Sequence, residues 1–155
     1  MTTQQQQFIL VKTDDVQLIW NEARPLIEKA LAHDYMGNMS SSDALRLILN
    51  EHQQLWVGIN EDGIFLAILT EIVNYPQNKV LRIIAFSTET GHGMNAWYHH
   101  LNTLEEFALV CDCTALEAWT RKGLAEKLNW DHQYAVITKK IKPKQQQQRK
   151  RRRRK

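Results

Sequence analysis

The sequence lacks the long apolar segments that membrane proteins need. No stretch reaches the ~18 consecutive apolar residues typical of a transmembrane helix, and no basic-then-apolar signal segment opens the chain. The sequence also contains neither the G-x-x-x-x-G-K-[ST] phosphate loop nor a serine nucleophile elbow. These absences predict a soluble protein with no membrane partner, and they argue against P-loop and serine-elbow enzymes.

Cysteine is scarce, and its spacing does not suit a metal. The two cysteines, Cys111 and Cys113, form a C-x-C pair. Redox and zinc sites use C-x-x-C, and no second pair is present to complete a zinc site. His99 and His100 are neighbours in a predicted helix and point in different directions. We therefore predict no metal site, and buried or idle thiols in a reducing compartment.

Positive charge is concentrated at the end of the chain. Residues 144–155 carry eight positive side chains and no acid, so that removing them changes the net charge from +3 to −5. Basic tails of this kind bind polyanions. The sequence predicts a nucleic acid or an acidic protein surface as a partner, bound through Arg149, Lys150, Arg151, Arg152, Arg153 and Arg154. A solvated, disordered end remains the alternative.

Glutamine runs flank the central part of the chain. Residues 4–7 and 145–148 are consecutive glutamines, a low-complexity composition that favours disorder. We expect a disordered N-terminus over residues 1–7, one α/β domain over residues 8–143, and a disordered Gln-rich and basic tail over residues 144–155. The length of 155 residues suits a single core.

The first half of the domain predicts a strand, two helices and a hairpin. Asp14 or Asp15 is expected to cap the first helix, and Pro25 is expected to break or kink it near Arg24. One of the serines at 40–42 caps the second helix. The Asp-Gly turn after Asn60 predicts a hairpin. The segments are a strand at 8–11, an amphipathic helix over 16–31, a helix with Leu45, Ile48 and Leu49 inward, and strands at 55–59 and 64–73.

The second half predicts three strands and two helices. Helical spacing puts one set of apolar residues on a single face: Met94, Trp97, Tyr98, Leu101, Leu104, Ala108 and Leu109. A helical crossover makes the strands at 80–86 and 115–119 parallel neighbours. A helix at 121–129 and a strand at 134–141 follow. The fold class is therefore α/β (α+β), a mixed, mostly antiparallel sheet of about six strands with helices on both faces.

A glycine turn interrupts the stretch from residue 80 to 101, VLRIIAFSTETGHGMNAWYHHL. An apolar strand runs into the turn, and a predicted helix begins directly after it. This arrangement offers backbone N–H groups to an anion, usually a phosphate. The predicted anion-binding residues are Gly91, His92, Gly93 and Met94.

The order of elements around this turn resembles that of the GNAT acyltransferases. The family's pyrophosphate motif is Arg or Gln, two residues, Gly, one residue, then Gly or Ala. Residues 88–93 read TETGHG, so both glycines match and Thr88 stands in place of the Arg or Gln. Residues 125–130, AEKLNW, resemble the family's YEKLGF block, with Ala125 in place of tyrosine. Three further segments (WNEARPLIEKAL, LWVG and TEIVNYP) resemble small GNAT-like proteins of tailed phages, and the likeness covers residues 8–141.

The resemblance implies acetyl-CoA as the acyl donor and an unknown amine as the acceptor. It implies that a backbone N–H around Phe86 and Ser87 stabilises the thioester oxygen, and it extends the cofactor-binding set to Thr88. Glu71 and Glu117, each in an apolar strand, are candidates for the catalytic base, with a solvent-facing carboxylate as the alternative. Tyr134 is a candidate acid for the leaving thiolate, with an ordinary core or surface tyrosine as the alternative.

Two functions follow from these patterns. The first is a GNAT-like N-acetyltransferase in the cytoplasm, or in the host cytoplasm if the protein is phage-encoded. The second is a catalytically inactive GNAT-fold phage protein that serves as a virion-associated or nucleic-acid-binding module. The matching glycines favour the enzyme, whereas Thr88 and Ala125 favour the binding module.

Overall fold

A five-stranded sheet organises the part of the chain that the structure describes. This computed structural model describes residues 6–32, 38–89, 97–118, 122–133, 137–141 and 143. The unit Met1–Trp119 contains β1 (Gln7–Leu10), α1 (Thr13–Leu31), α2 (Ser41–Leu49), β2 (Gln54–Asn60), β3 (Gly63–Asn74), β4 (Lys79–Thr88), a 3-10 turn (Tyr98–His100), α3 (Leu101–Val110) and β5 (Ala115–Ala118). The unit Thr120–Lys155 contains α4 (Lys122–Leu128).

The strands lie in the sheet in chain order, from β1 to β5. The first four are antiparallel neighbours, and β4 and β5 are parallel. The mixed, mostly antiparallel sheet confirms the predicted fold class, and the parallel pair confirms the predicted crossover. The hairpin between β2 and β3 is confirmed too. Gly63 there has φ of 113°, which a side chain would strain.

The sixth strand is not present in the described residues. It was expected over residues 134–141, of which 134–136 lie outside the described part and 137–141 have no strand conformation. Ile137 and Ile141 are 91% and 86% exposed. In the described conformation these two side chains are therefore not packed as residues of a buried strand would be.

Helix α1 begins and continues differently from the prediction. Lys12, in an extended conformation, is its N-cap, with no side-chain cap. Asp14 and Asp15 instead lie inside the first turn, where negative charge favours the helix dipole. The expected break near Pro25 is wrong, because the helix runs through it to Leu31. Burial of a long apolar face offsets the lost backbone hydrogen bond, and that face comprises Val16, Trp20, Ala23, Leu26 and Ile27.

Helix α2 begins at a capping box. The Oγ of Ser40 accepts a hydrogen bond from the backbone N–H of Asp43 at 3.1 Å, and Asp43 Oδ2 accepts one from Ser40 N at 3.0 Å. The predicted serine cap is therefore confirmed. These bonds from Ser40, backbone first, hold the pKa of Asp43 below its ordinary value.

Helices cover both faces of the sheet. Helices α1 and α2 bury an aliphatic cluster on one face that includes Ile27, Ile48, Val57 and Leu69. On the other face the aromatic rings of Trp56 and Phe107 meet edge to face, with centroids 5.1 Å apart, which connects β2 to α3. We call these the α1–α2 face and the α3 face.

The predicted apolar face of α3 is only partly correct. Trp97, Leu101, Leu104 and Ala108 are buried as expected. Tyr98 and Leu109, however, are 50% and 72% exposed. A 3-10 turn has three residues per turn rather than 3.6, so it changes which side chains face the sheet at the start of α3. Met94 lies outside the described residues.

Candidate functional site

Strand β4 is paired on both sides along only part of its length. Its pairing with β5 runs from Val80 opposite Ala115 to Ile83 opposite Ala118. Beyond Ile83, β4 continues to Thr88 with β3 as its partner strand. Within the described part of the chain, the other edge of residues 84–88 has no neighbouring strand. We call this segment the open edge of β4.

A β-bulge lies where the open edge begins. Leu69 of β3 is opposite Ala85, but the next residue, Thr70, is opposite Ile83. Ile84 is therefore an extra residue in β4. A bulge bends its strand and increases the local twist. The bend thus falls directly after the last described pair between β4 and β5, where the open edge begins.

The hydrogen bond after Thr88 shows which backbone groups face the open edge of β4. The N–H of Glu89 donates to the carbonyl of Phe65 at 2.9 Å. This bond flanks the pair of Thr88 and Leu66, which is therefore a non-hydrogen-bonded pair of the antiparallel ladder. Residues in such pairs turn their N–H and C=O groups away from the partner strand. Thr88 thus faces the open edge with its backbone groups.

The alternation continues backwards along β4. Phe86, two residues before Thr88, also directs its backbone groups to the open edge, whereas Ser87 directs its own to β3. Of these two predicted oxyanion donors, Phe86 is thus the one oriented toward the open edge of β4. Its ring packs against Trp97 on the α3 face, with centroids 4.7 Å apart, and this contact restrains the strand. The Oγ of Ser87 is buried and has no hydrogen-bond partner among the described residues.

A polar network crosses three strands just before the open edge. Glu71 on β3, Arg82 on β4 and Glu117 on β5 are directly opposite one another, so they share a sheet face. Arg82 Nε lies 2.8 Å from Glu117 Oε1, and Arg82 Nη1 lies 3.3 Å from Glu71 Oε1. Because Glu71 is two residues from Leu69 of the aliphatic cluster, this is the α1–α2 face.

Tyr75 completes this network. Its hydroxyl lies 2.9 Å from Glu117 Oε2 and accepts a hydrogen bond from Arg82 Nη2 at 3.0 Å. We call Glu71, Tyr75, Arg82 and Glu117 the Arg82 network. Burial opposes the charge of Arg82, but its bonds to Glu117 and Tyr75 outweigh this effect and raise the pKa of the guanidinium. The network therefore holds a fixed positive charge between two carboxylates.

The structure thus brings the two candidate bases together. Glu71 and Glu117 are partly exposed, with side-chain accessibilities of 31% and 27%. The sequence reasoning did not identify Arg82 and Tyr75 as functional residues. An arginine inside an apolar strand was the available signal for Arg82. Nothing local links Tyr75, which follows the end of β3, to Glu117, which is 42 positions away.

Several predicted site residues lie outside the described residues. They are Gly91, His92, Gly93, Met94, Tyr134, Arg149, Lys150, Arg151, Arg152, Arg153 and Arg154, and they remain predictions. In the part that the structure describes, no group of three or more His, Cys, Asp or Glu side chains is arranged to hold a metal. Cys111 and Cys113 are free thiols, and burial raises the pKa of Cys113.

None of the helices in the described part of the chain is long and apolar enough to cross a bilayer.

Comparison with known proteins gives no match in sequence and clear matches in structure. No protein-family model matches the chain, and no curated protein matches it. A GNAT-family acetyltransferase from Staphylococcus aureus superposes with a TM-score of 0.63 and 18% identity, covering 88% of this chain and 98% of that chain.

Two aminoglycoside acetyltransferases are similar in structure as well. One, from an uncultured soil metagenomic sample and crystallised with sisomicin, has a TM-score of 0.68 and 10% identity, covering 88% of this chain and 97% of that chain. The other, solved with CoA, has a TM-score of 0.65 and 11% identity, covering 92% and 98%. At these identities, the matches establish a shared fold.

Proposed function

We propose that this protein, which has the fold of the GNAT-family acetyltransferases, transfers an acetyl group from acetyl-CoA to an amine acceptor. The observation that carries the proposal is the open edge of β4, which has no neighbouring strand among the described residues. It begins at the bulge at Ile84, and the backbone groups of Phe86 face it. An open strand edge provides hydrogen-bond donors and acceptors to an extended ligand.

Phe86 has the orientation that the reaction requires. As the amine nitrogen attacks the thioester carbon, negative charge develops on the carbonyl oxygen. A fixed backbone N–H at this oxygen stabilises that charge. The N–H of Phe86 faces the open edge of β4, and the contact with Trp97 restrains the strand. The carbon–sulfur bond then breaks, and the thiolate accepts a proton, for which Tyr134 remains our candidate.

Acetyl-CoA is proposed as the donor on two grounds. The glycine turn that includes Gly91 and Gly93 follows directly on the open edge of β4, and strand–glycine–helix turns bind phosphates. In addition, one of the structurally similar acetyltransferases was solved with CoA.

An amine acceptor agrees with the charge of the Arg82 network. Two carboxylates surround one guanidinium, so the network carries one excess negative charge. This charge attracts a cationic amine. Among the described residues, Glu117 accepts bonds from Arg82 and Tyr75, whereas Glu71 accepts one, from Arg82 at 3.3 Å. We therefore propose Glu71 as the base.

Glu71 lies too far from the open edge of β4 to take the proton directly. Ile68 is opposite Phe86, and Glu71 follows it by three residues. Along a strand this separation is on the order of 10 Å. The proton of the ammonium group therefore reaches Glu71 through water.

Calorimetry of the full-length protein with acetyl-CoA tests the proposal. We expect heat of binding for the wild type and none for Gly93→Glu, because a carboxylate in the turn repels phosphate. Gln77→Glu, which adds the same charge at an exposed position between β3 and β4, is expected to bind like the wild type. Absence of binding by the wild type would overturn the proposal.

A separate kinetic experiment tests the role of Glu71 as the base. With a panel of primary amines, release of the CoA thiol is followed for the wild type and for Glu71→Gln. We expect kcat to fall about 100-fold while the affinity for acetyl-CoA is unchanged. If Glu71→Gln acetylates one of these amines with the kcat of the wild type, Glu71 is not the base.

A further inference from the structure

Strand β1 forms the edge of the sheet farthest from β5. It pairs with β2, and within the described ranges its outer side has no neighbouring strand. An edge strand offers backbone N–H and C=O groups to a further strand, unless a proline, a charged side chain or a bulge prevents the pairing. The strand reads QFIL, without proline or charge, and its pairing with β2 runs without a register shift. We call this outer side the free edge of β1.

The backbone groups of Phe8 and Leu10 point toward the free edge. The N–H of Val11 donates to the carbonyl of Leu55 at 2.9 Å, so Val11 directs its backbone groups to β2. In an antiparallel ladder, residues of this kind alternate with residues that face the other way. Ile9 therefore also faces β2, whereas Phe8 and Leu10 direct their N–H and C=O groups outward.

Exposed apolar side chains lie beside the free edge. Ile9 and Leu10 are 43% and 38% exposed, and Leu18 on α1 is 81% exposed. All three line one cavity of about 510 Å³ between β1 and α1, so they form a continuous apolar surface. An apolar surface of this kind on a folded protein is typical of an interaction site. The free edge thus combines unpaired backbone groups with an apolar flank.

Opposite charges lie at the two ends of this cavity. Lys12 directly follows the end of β1. Glu22 lies at the other end, because it accepts a hydrogen bond from the N–H of Ile64 at 3.1 Å, and Ile64 is opposite the part of β2 that pairs with Gln7. Both charged residues line the cavity, as does Asp15. None of the ion pairs among the described residues includes any of the three.

We propose that β1 pairs with β1 of a second copy of this chain, antiparallel and about a two-fold axis. Outward-facing residues must oppose each other for hydrogen bonds to form. The register that uses the outward groups of both Phe8 and Leu10 places Phe8 opposite Leu10 of the second copy. Each such pair then exchanges both of its backbone hydrogen bonds. The two-fold axis passes between Ile9 and Ile9 of the second copy.

The charges favour a second copy of the chain as the occupant. In this register Lys12 is opposite residue 6 of the second copy, next to Gln7, and this is the end of the cavity where Glu22 lies. Two-fold symmetry forms this pair of opposite charges in both directions, because the same surface is used on each copy. Opposite charges across paired strands are favourable, and like charges are unfavourable. The association does not depend on the proposed acetyl transfer.

A cysteine at position 9 tests the register. Opposite residues of a non-hydrogen-bonded pair have Cα atoms about 4.5 Å apart, a separation that a disulfide spans. In the full chain with Cys111→Ser and Cys113→Ala, we expect Ile9→Cys to give a disulfide-linked dimer when oxidised glutathione is added. Circular dichroism verifies that each variant is folded.

The matched control is Gln7→Cys in the same background. Gln7 is exposed on the same sheet face as Ile9, but in this register it is opposite Val11 of the second copy. The two cysteines at position 7 are therefore separated by on the order of 13 Å along the strands, and we expect no cross-link. Equal cross-linking of the two cysteine variants, or none by Ile9→Cys, would overturn the inference.

Sedimentation equilibrium of the full chain measures the association without a cross-link. We expect a concentration-dependent dimer for the wild type. Ile9→Lys places like charges opposite each other at the axis, and Lys12→Glu places a carboxylate beside Glu22. Each is expected to weaken the dimer about tenfold.

The control for the added charge is Leu109→Lys, at a position on α3 that is 72% exposed. It is expected to dimerise like the wild type. The inference is wrong if the wild type stays monomeric from micromolar to millimolar concentration, even if it binds an extended peptide from another protein. It is equally wrong if Ile9→Lys dimerises with the affinity of the wild type.

Discussion

Arg82 and Glu117 lie directly opposite each other on the parallel strands β4 and β5, with 2.8 Å between Nε and Oε1. The same guanidinium reaches Glu71 on β3. One side chain thus connects three strands, one residue before the described pairing of β4 and β5 ends. Among the described residues, the network thus lies directly before the open edge of β4.

Replacing Arg82 by methionine is expected to destabilise the fold by about 2 kcal/mol. The substitution leaves two partly buried carboxylates without their counter-charge. The measurement is urea unfolding at neutral pH.

The matched control is Arg46→Met. Arg46 pairs with Asp43 at 3.2 Å, but the side chains are 69% and 41% exposed. An exposed pair of this kind contributes little to stability, because solvent screens it. Equal losses of stability in the two variants would contradict the structural role of the Arg82 network.

The hydroxyl of Thr70 forms hydrogen bonds with two polar side chains inside the sheet. Its hydroxyl accepts a hydrogen bond from Trp56 Nε1 at 3.0 Å and donates one to Gln54 Oε1 at 2.8 Å. Thr70→Val keeps the shape but leaves the indole N–H without an acceptor. We expect a loss of about 1–3 kcal/mol, measured by thermal unfolding with tryptophan fluorescence.

Thr114→Val controls for the change from threonine to valine. Its hydroxyl lies 3.4 Å from the carbonyl of Lys79 at an exposed position, so the expected loss is small. If the two valine variants unfold at the same temperature, the bond to Trp56 contributes nothing to stability.

His100 makes stability depend on pH. It is buried, and its ring stacks on Phe8 with centroids 4.7 Å apart. Burial, and then the neighbouring charge of His99, lowers the pKa of His100 below its ordinary value of 6.5. Below that value the unfolded chain binds the proton and the folded chain does not. Stability is therefore complete above pH 6.5 and is lost as the pH falls through the lower pKa of the folded state.

The corresponding variant is His100→Phe, which keeps the stacking and removes the titration. We expect its unfolding free energy to fall less between pH 7 and pH 5 than that of the wild type, as measured by urea unfolding. His52→Gln, at an exposed position, is expected to keep the wild-type pH dependence. A wild-type pH profile in His100→Phe would exclude His100 as the source.

Part of the site was predictable because it depends on local order. The apolar run predicted strand β4 itself, and the resemblance to the GNAT acyltransferases added the expectation that its end binds the thioester oxygen. The roles of the carboxylates were not predictable, since Glu71, Arg82 and Glu117 meet only through the register of three strands. Register depends on a bulge at Ile84, which no residue type marks in this strand.

By itself, the sequence determined the elements whose signals are local. The hairpin at Asp62 and Gly63 and the cap at Ser40 arise from turn and capping chemistry within a few residues. The tertiary structure decided whether α1 continues through Pro25, because burial of its apolar face outweighs one lost hydrogen bond. It also brought Lys29 to Thr88, across 59 positions of sequence. Contacts at such separations depend on how the helix packs on the sheet, and no local pattern encodes them.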